Sequence, residues 1–168
     1  MPLNISLFKT LIIKTVKNPK LIFAIDPDLH QNGVAIFDTT AGKLTDCHSV
    51  TMWALFDQIT ANYKMHGSDI LFLLEVSGKS YVWHGGKTLG AKLASAQNVG
   101  KNKGVSIVLK EFFKAKNIPV TIMQVNGYTT YFTATNFKII TGHRQQTNKD
   151  SRAAAAMIYK NGYHKIKT

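Results

Sequence analysis

Cysteine, proline and acidic residues are scarce in this chain, which has one, four and nine of them in 168 residues. A single cysteine, Cys47, excludes an internal disulfide and any cluster of thiolate metal ligands, and it suits a reducing compartment. Apolar runs long enough to span a bilayer are also lacking. The apolar residues 3–16 include two lysines, are too short to span a bilayer and precede no small-residue cleavage site, so neither a membrane span nor a secretory signal is expected here.

The first 18 residues are expected to form an N-terminal amphipathic extension. Leu7, Leu11 and Ile12 fall on one face of a helix, which would pack on the body of the protein or on a partner. The Asn-Pro pair that follows breaks this helix. The remaining residues, 19–168, have an ordinary length for one domain, and the 45% hydrophobic content of the chain can build a sizeable core.

The shortage of acids leaves the chain strongly positive. Lys and Arg number 21 against nine Asp and Glu, which gives a formal charge of +12 and an isoelectric point near 9.8. This balance favours a polyanionic partner, with nucleic acid as the first candidate and a membrane surface as the second. The alternative is a basic protein that has no functional patch.

Apolar runs separated by turn residues predict the element order β-β-β-α-β-α-β-α-α. Tight turns join the first three strands into an antiparallel meander, and helix-linked parallel strands extend it. The sequence therefore predicts an α/β fold, a five-stranded mixed sheet with helices on both faces in an RNase H-like arrangement. The predicted strands are residues 20–26, 33–42, 43–52, 69–76 and 118–125, and the predicted helices are 53–64, 88–116, 133–140 and one from about 149.

Two predicted strands end in an acid. Asp26 closes the apolar run LIFAI and precedes Pro27, and Glu75 closes the run ILFLL in the same way. If the two strands are neighbours, as the topology implies, the carboxylates meet at one edge of the sheet and must hold a proton or a cation. The alternative for each is a solvated acid at the end of a strand.

A third acid, Asp150, lies in the first turn of the last predicted helix. The stretch from Thr147 to Asp150 fits a capping box, in which the fourth residue reaches back to the N-cap amide, and this alone would explain the acid. As a metal ligand, Asp150 would join Asp26 and Glu75 in a set that suits Mg²⁺ or Mn²⁺. Two such ions about 4 Å apart would activate water and stabilise the leaving oxygen in phosphodiester cleavage.

Four stretches of the chain together resemble the RuvC-type Holliday-junction resolvases, especially their phage-borne relatives. They are FAIDPDLHQNGVAIFD, LFLLEVSG, QNVGKNKG and FKIITGHRQQTNKDSRAAAAMIY, and the match runs from about residue 20 to 160. The resemblance implies a metal-dependent, structure-selective endonuclease with two ions per active site. It also implies a homodimer that acts on four-way DNA junctions in the cytoplasm of a bacterium or of a phage-infected host.

The resemblance further implies four acidic ligands, one on the first strand, one on the fourth and a pair three residues apart on the final helix. Carried over by motif, they fall on Asp26, Glu75, Asp150 and position 153, which is Ala153. Residues three apart share a helix face and can close on one ion, but alanine coordinates nothing. We therefore expect this polypeptide to be nuclease-deficient. We favour deliberate replacement of an aspartate, to trap a substrate complex, over drift of the gene.

The segment GKSYVWHGGKT, residues 78–88, interleaves basic and aromatic residues between a strand and the long helix. Such a segment can hold a DNA backbone by charge while a ring stacks on bases or wedges between them. The alternative is that the aromatics cap the core. A nucleotide cofactor is excluded, because a P-loop would require glycine at position 81. The candidate DNA contacts are Lys79, Tyr81, Trp83, His84 and Lys87.

A second basic group would flank the acidic site and neutralise phosphates, unless it only forms a solvated surface. His143 would contact phosphate or assist proton transfer, or it is a surface histidine without a function. Gly100 and Gly104, four apart on the long helix, would let a second backbone approach, as in the implied homodimer, or would pack on the sheet. The second basic group, which would flank the acidic site, consists of His143 together with Lys101, Lys103, Arg144, Lys149 and Arg152.

Two alternatives to the resolvase stay open. One is a degenerate nuclease fold that binds branched DNA without cutting it, which the alanine at position 153 favours. The other is a nuclease of RNA:DNA hybrids with the same fold.

Overall fold

The computed structural model describes residues 16, 18–76, 88–124 and 127–166. Apart from residues 16 and 18, the predicted N-terminal extension lies outside these ranges. The described residues contain five strands, five α-helices and two turns of 3-10 helix, Gly67–Asp69 and Tyr163–Lys165. The strands are β1 (Leu21–Asp26), β2 (Asn32–Asp38), β3 (Lys43–Val50), β4 (Ile70–Val76) and β5 (Val120–Gln124), and the helices are α1 (Met52–His66), α2 (Leu89–Ala115), α3 (Tyr128–Tyr131), α4 (Ala134–Thr141) and α5 (Lys149–Lys160).

The strands form one mixed sheet in the order β3-β2-β1-β4-β5. The first three strands are antiparallel to one another, and β4 pairs in parallel with β1 on one side and with β5 on the other. The predicted fold class is confirmed, since an antiparallel meander is extended by helix-linked parallel strands. β1 lies at the centre of the sheet and is covered on both faces, which explains its nearly continuous apolar run.

Side chains of the central strands alternate between two hydrophobic clusters, one on each face of the sheet. Ile22 and Ala24 of β1 belong to the cluster that includes α5. Phe23 and Ile25 belong to the cluster that includes residues of α1 and α2. Helices therefore cover both faces, as predicted, and the next residue along β1, Asp26, continues the row that faces α5.

Helix α5 lies close to the sheet because the contact is made of small residues. Residues 153–156, all alanine, are fully buried. A Cβ atom at Gly33 of β2 would lie 2.2 Å from the carbonyl carbon and oxygen of Asp150 and 2.6 Å from the amide nitrogen of Ser151. Only glycine permits this approach. Because Gly33 pairs with Asp26, the first turn of α5 is held beside the end of β1.

The sequence did not predict α3, whose four residues are too few for a hydrophobic period to be recognised. Gly127 begins this helix in the left-handed region at φ 63°, where glycine is favoured. Tyr128 and Phe132 are buried against α5, so packing on α5 and not periodicity positions the turn. In the described part of the chain, no helix is both long and apolar enough to cross a membrane.

Candidate active site

The carboxyl ends of β1 and β4 bring two acidic side chains into contact. Ile25 pairs in register with Leu74, so the residues that follow them, Asp26 and Glu75, lie side by side on the face that α5 covers. A hydrogen bond joins their carboxyl groups. The structure therefore brings together the two acids that the sequence placed at strand ends.

These two acids cannot both ionise easily. Burial, then the charge of Glu75 and the hydrogen bond to it, raise the pKa of Asp26 to about 9, with smaller contributions from the charges of Asp150 and Asp28. Burial also raises the pKa of Glu75, which is only 6% exposed, although the hydrogen bond with Asp26 opposes this shift. The pair thus holds a shared proton, which we assign to Asp26, at neutral pH.

Asp150 lies in the first turn of α5 but does not cap the helix. The N-cap is Asn148, whose side-chain oxygen accepts a hydrogen bond from the Ser151 amide at 2.8 Å. The Ser151 hydroxyl in turn accepts from the Asn148 amide at 3.2 Å. The predicted capping box from Thr147 to Asp150 is therefore wrong by one residue at each end. Because Asn148 and Ser151 satisfy the helix terminus, the carboxylate of Asp150 is available to another partner.

A cavity of about 370 Å³ lies between the β1–β2 loop and the first turn of α5. Three carboxylates line it, from Asp26, Asp28 and Asp150. Burial raises the pKa of Asp150, and the charge of Asp28 raises it further. Sequence reasoning missed Asp28, because a turn residue that follows Pro27 has solvation as its default explanation. The other lining residues are Pro27, Leu29, His30, Lys101, Asn102, Thr129 and Lys149.

The acidic residues suit a hard divalent cation. All their potential ligands are carboxylate oxygens, which Mg²⁺ and Mn²⁺ prefer. The Oε2 atom of Glu75 is buried and has no hydrogen-bond partner within the described ranges, and an orphaned buried oxygen of this kind calls for a ligand. Across residues 18–76, 88–124 and 127–166, however, no three acids, histidines or cysteines are grouped closely enough to hold one ion. The structure therefore shows the Asp26–Glu75 pair with Asp150 in the neighbouring cavity wall, and not a closed three-carboxylate site.

The predicted basic residues fall into different environments. Lys101 of α2 and Lys149 of α5 line the cavity. Lys103 and Arg144 are exposed outside its wall. Arg152 donates from Nη1 to the Thr147 carbonyl at 3.0 Å and so ties the preceding loop to α5. Lys101 and Lys149 therefore stand where they can neutralise charge in the cavity, and the charge of Arg152 also acts on Asp150.

His143 is not a surface histidine. The residue is 7% exposed, and its ring packs edge-on against Phe137 with the ring centroids 5.9 Å apart. Burial lowers its pKa, so the imidazole is neutral near pH 7. The structure places this ring in the core and not in the wall of the acidic cavity.

Position 153 also belongs to the core. Ala153 is fully buried in the cluster between α5 and the sheet, and it does not line the acidic cavity. The predicted contacts Lys79, Tyr81, Trp83, His84 and Lys87 lie outside the described residues.

Comparison with solved structures agrees with this architecture. A Thermus thermophilus RuvC in complex with a Holliday-junction substrate is 11% identical, with a TM-score of 0.52 over 86% of this chain and 94% of that one. The chain has a RuvC-like fold. A second T. thermophilus RuvC structure is also 11% identical, with a TM-score of 0.48 over 87% of this chain and 97% of that RuvC. No protein-family model and no curated protein sequence matches the chain.

The acid pair of this RuvC-like fold predicts a specific pH dependence of stability. The pKa of Asp26 is raised from 3.8 to about 9 in the folded protein. The stability that this group contributes is therefore fully present below about pH 4 and is lost as the pH rises toward 9. Asparagine cannot ionise, so the free energy of unfolding of Asp26→Asn relative to that of the wild type should rise by roughly 4 kcal/mol between pH 5 and pH 8, at about 1.4 kcal/mol per pH unit.

Urea denaturation in EDTA at both pH values measures this gain. Asp57→Asn, at an exposed position of α1, is the matched control and should show no such change with pH. Equal behaviour of the two variants would contradict the shared proton at the acid pair.

Proposed function

We propose that this protein is a divalent-metal-dependent endonuclease that cleaves branched DNA, with four-way junctions as its preferred substrate. The observation that carries the proposal is the Asp26–Glu75 pair, in which the two carboxyl groups are hydrogen-bonded and one buried oxygen of Glu75 has no partner among the described residues. The pair adjoins a cavity with two further acids and two lysines. A net charge of +12 suits a polyanionic substrate, and a RuvC of the same fold was captured with a Holliday-junction substrate.

In this function Asp26 and Glu75 would hold Mg²⁺ or Mn²⁺, in a centre of two ions per active site. Bound there, the ions supply Lewis-acid stabilisation of charge on the phosphate and lower the pKa of water. Occupation of the pair displaces the proton that Asp26 otherwise carries. Binding of the metal should therefore strengthen as the pH rises from 6 to 8.

Three other side chains of the cavity have separate tasks. Lys101 and Lys149 place ammonium groups from α2 and α5 at the cavity wall, where they would neutralise the phosphate and orient the strand. Asp150, freed from capping by Asn148, is the residue that would accept a proton from the attacking water. All three side chains line the same cavity.

We extend the proposal to a homodimer that works in the cytoplasm of a bacterium or of a phage-infected host. A four-way junction has two-fold symmetry, and a two-fold dimer presents two active sites to symmetric strands. Gly100 and Gly104 are exposed on α2, with nothing among the described residues within 4 Å of where a Cβ would lie. They do not pack on the sheet in this part of the chain, which leaves them free for a second backbone.

A binding titration and a cleavage assay test the function. Four-way junction, linear duplex and RNA:DNA hybrid are compared at one fixed salt concentration, because phosphate contacts make every affinity salt-dependent. We expect the junction to bind at least tenfold more tightly than the duplex and to be cut in Mg²⁺ or Mn²⁺. Asp26→Asn should slow cleavage by about a hundredfold or more. Even residues that only hydrogen-bond to a metal ligand change metal affinity or activity by about 10- to 100-fold when they are replaced. Binding of the junction should persist in this variant.

The controls separate the alternatives. Asp57→Asn, an equal change of charge on the exposed face of α1, should cut at the wild-type rate. Equal affinity for all three nucleic acids would remove the junction specificity. Tight junction binding with no cleavage in either metal would favour a nuclease-deficient protein that only binds DNA, as the alanine at position 153 suggests. Faster cleavage of the hybrid than of the junction would favour the RNA:DNA nuclease.

A further inference from the structure

The β1–β2 loop carries an acid that the resemblance to RuvC does not account for. Asp28 lies two residues beyond Asp26 and lines the same cavity as Asp26 and Asp150. Its charge acts on both of these carboxyl groups. Three aspartates, from the end of β1, the loop after it and the first turn of α5, therefore share a single cavity of about 370 Å³.

The loop holds Asp28 in place without using all of its carboxylate. The His30 amide donates to Oδ1 of Asp28 at 2.9 Å, and the Asp28 amide donates to the side chain of Asn32 at 3.3 Å. Asn32 is fully buried and anchors the loop to the sheet. No described residue donates a hydrogen bond to the second oxygen, Oδ2, so this oxygen is available to a ligand in the cavity.

Glu75 independently points to a cation at this place. It is 6% exposed, and its Oε2 atom is buried without a partner among the described residues. Glu75 is hydrogen-bonded to Asp26, which itself lines the cavity that holds Asp28. A buried carboxylate oxygen that has no partner among the described residues, on a side chain bonded to one of the three cavity aspartates, is a donor that lacks its positive charge.

We propose that Asp28 is the fourth acidic residue of the metal site, so that the site needs no carboxylate at position 153. This inference rests on the proposed function. Mg²⁺ keeps several water ligands and takes only one or two carboxylates directly. Asp26 and Glu75 supply those two, and Asp28 and Asp150 hold metal-bound waters from the two sides of the cavity. This arrangement agrees with the observation that no three acids of the described chain converge on one point.

Binding of Mn²⁺ alone to the full-length protein tests the inference, by titration calorimetry or electron paramagnetic resonance at pH 7.5. Asp28→Asn removes the charge but keeps an oxygen that can accept from His30. Asp38→Asn is the matched control, because Asp38 lies at the end of a strand and its side chain accepts a hydrogen bond from a backbone amide, that of Ala41, at 2.8 Å. We expect Asp28→Asn to weaken Mn²⁺ binding about 10- to 100-fold, as loss of a supporting ligand does, and Asp38→Asn to bind as the wild type.

The outcomes for Asp28 and for the function are distinguishable. If Asp28→Asn binds Mn²⁺ within twofold of the wild type while it stays folded, the inference is overturned, whether or not the protein cuts DNA. If Asp38→Asn binds Mn²⁺ as the wild type does and Asp28→Asn alone loses it, the inference stands even where no junction is cleaved, and only the proposed nuclease function fails. Circular dichroism of each variant verifies folding, which the retained loop hydrogen bond should preserve.

Discussion

Replacing Gly33 with alanine is expected to destabilise the protein by roughly 3 kcal/mol, at the upper end of the effect of overpacking a core. The added Cβ atom would lie 2.2 Å from backbone atoms of Asp150. Backbone atoms cannot rotate away as a flexible side chain can, so the first turn of α5 must shift or the strand must bend. The rest of α5 resists this shift, because residues 153–158 are fully buried against the sheet and neighbouring helices.

The same substitution should also affect the candidate site, because Gly33 pairs with Asp26 and approaches Asp150, which both line the cavity. A shift of about 1 Å in a catalytic group can reduce a rate about a hundredfold. Asp150 moves with the first turn of α5, whereas Asp26 and Glu75 stay with their strands. Weaker Mn²⁺ binding and slower cleavage are therefore expected even at temperatures where the variant is folded.

Urea denaturation and Mn²⁺ titration measure these two effects. Gly90→Ala is the matched control, since Gly90 lies in α2 and nothing among the described residues lies within 4 Å of where its Cβ would be. Alanine there should leave the stability unchanged or raise it by about 0.5 kcal/mol, because alanine favours helix over glycine. Equal stability of the two variants would contradict the close contact between α5 and β2.

Aspartate at position 153 is expected to destabilise the protein by about 3 to 5 kcal/mol, the usual effect of an uncompensated buried charge. Ala153 is fully buried in the cluster between α5 and the sheet, and it lies outside the wall of the acidic cavity. The new carboxyl group would meet apolar neighbours such as Met157. The resemblance to RuvC leads to the opposite expectation, because it makes position 153 a lost ligand whose return restores cleavage.

Divalent metal separates these two expectations. The stability of Ala153→Asp is measured by urea denaturation with EDTA and with Mg²⁺, beside junction cleavage. Ala61→Asp, on the exposed face of α1, should change stability by no more than about 0.5 kcal/mol. If Mg²⁺ recovers the stability of Ala153→Asp and cleavage rises, position 153 reaches the ions and our placement of the fourth acid at Asp28 is wrong. A large loss of stability in both solutions supports the core role of Ala153.

The losses of stability expected for Gly33→Ala and Ala153→Asp both depend on tertiary contacts that no sequence pattern reveals. The run of alanines in α5 indicates a helix that packs closely, but not which strand it meets. Gly33 reads as an ordinary strand residue until the register with Asp26 and the position of Asp150 are known. Likewise, a position three residues after Asp150 shares a helical face with it, yet the described structure places Ala153 within the core.

Predictions of the two strands that carry an acid at their carboxyl end were accurate because they depend on local chemistry, whereas the second strand was predicted to run to residue 42 and ends at Asp38. A strand covered on both faces must be apolar throughout, and the first polar residue after it marks where it leaves the core. This rule located Asp26 and Glu75, and the element order then made their strands neighbours. Long helices were located equally well, since α2 and α5 show a clear change of composition at each end.

By itself, then, the sequence determined the mixed sheet, its covering helices and the meeting of two acids at the ends of β1 and β4. Only the tertiary structure decided where the side chains that depend on long-range packing lie. Asn148, and not Thr147, caps α5; His143 is buried; and Asp28 lines the acidic cavity. The physical reason is that periodicity reports which side of an element is buried. The surroundings of a loop residue are set by elements distant in the chain, as where α5, packed against Gly33, brings Asp150 into the cavity wall that Asp28 also lines.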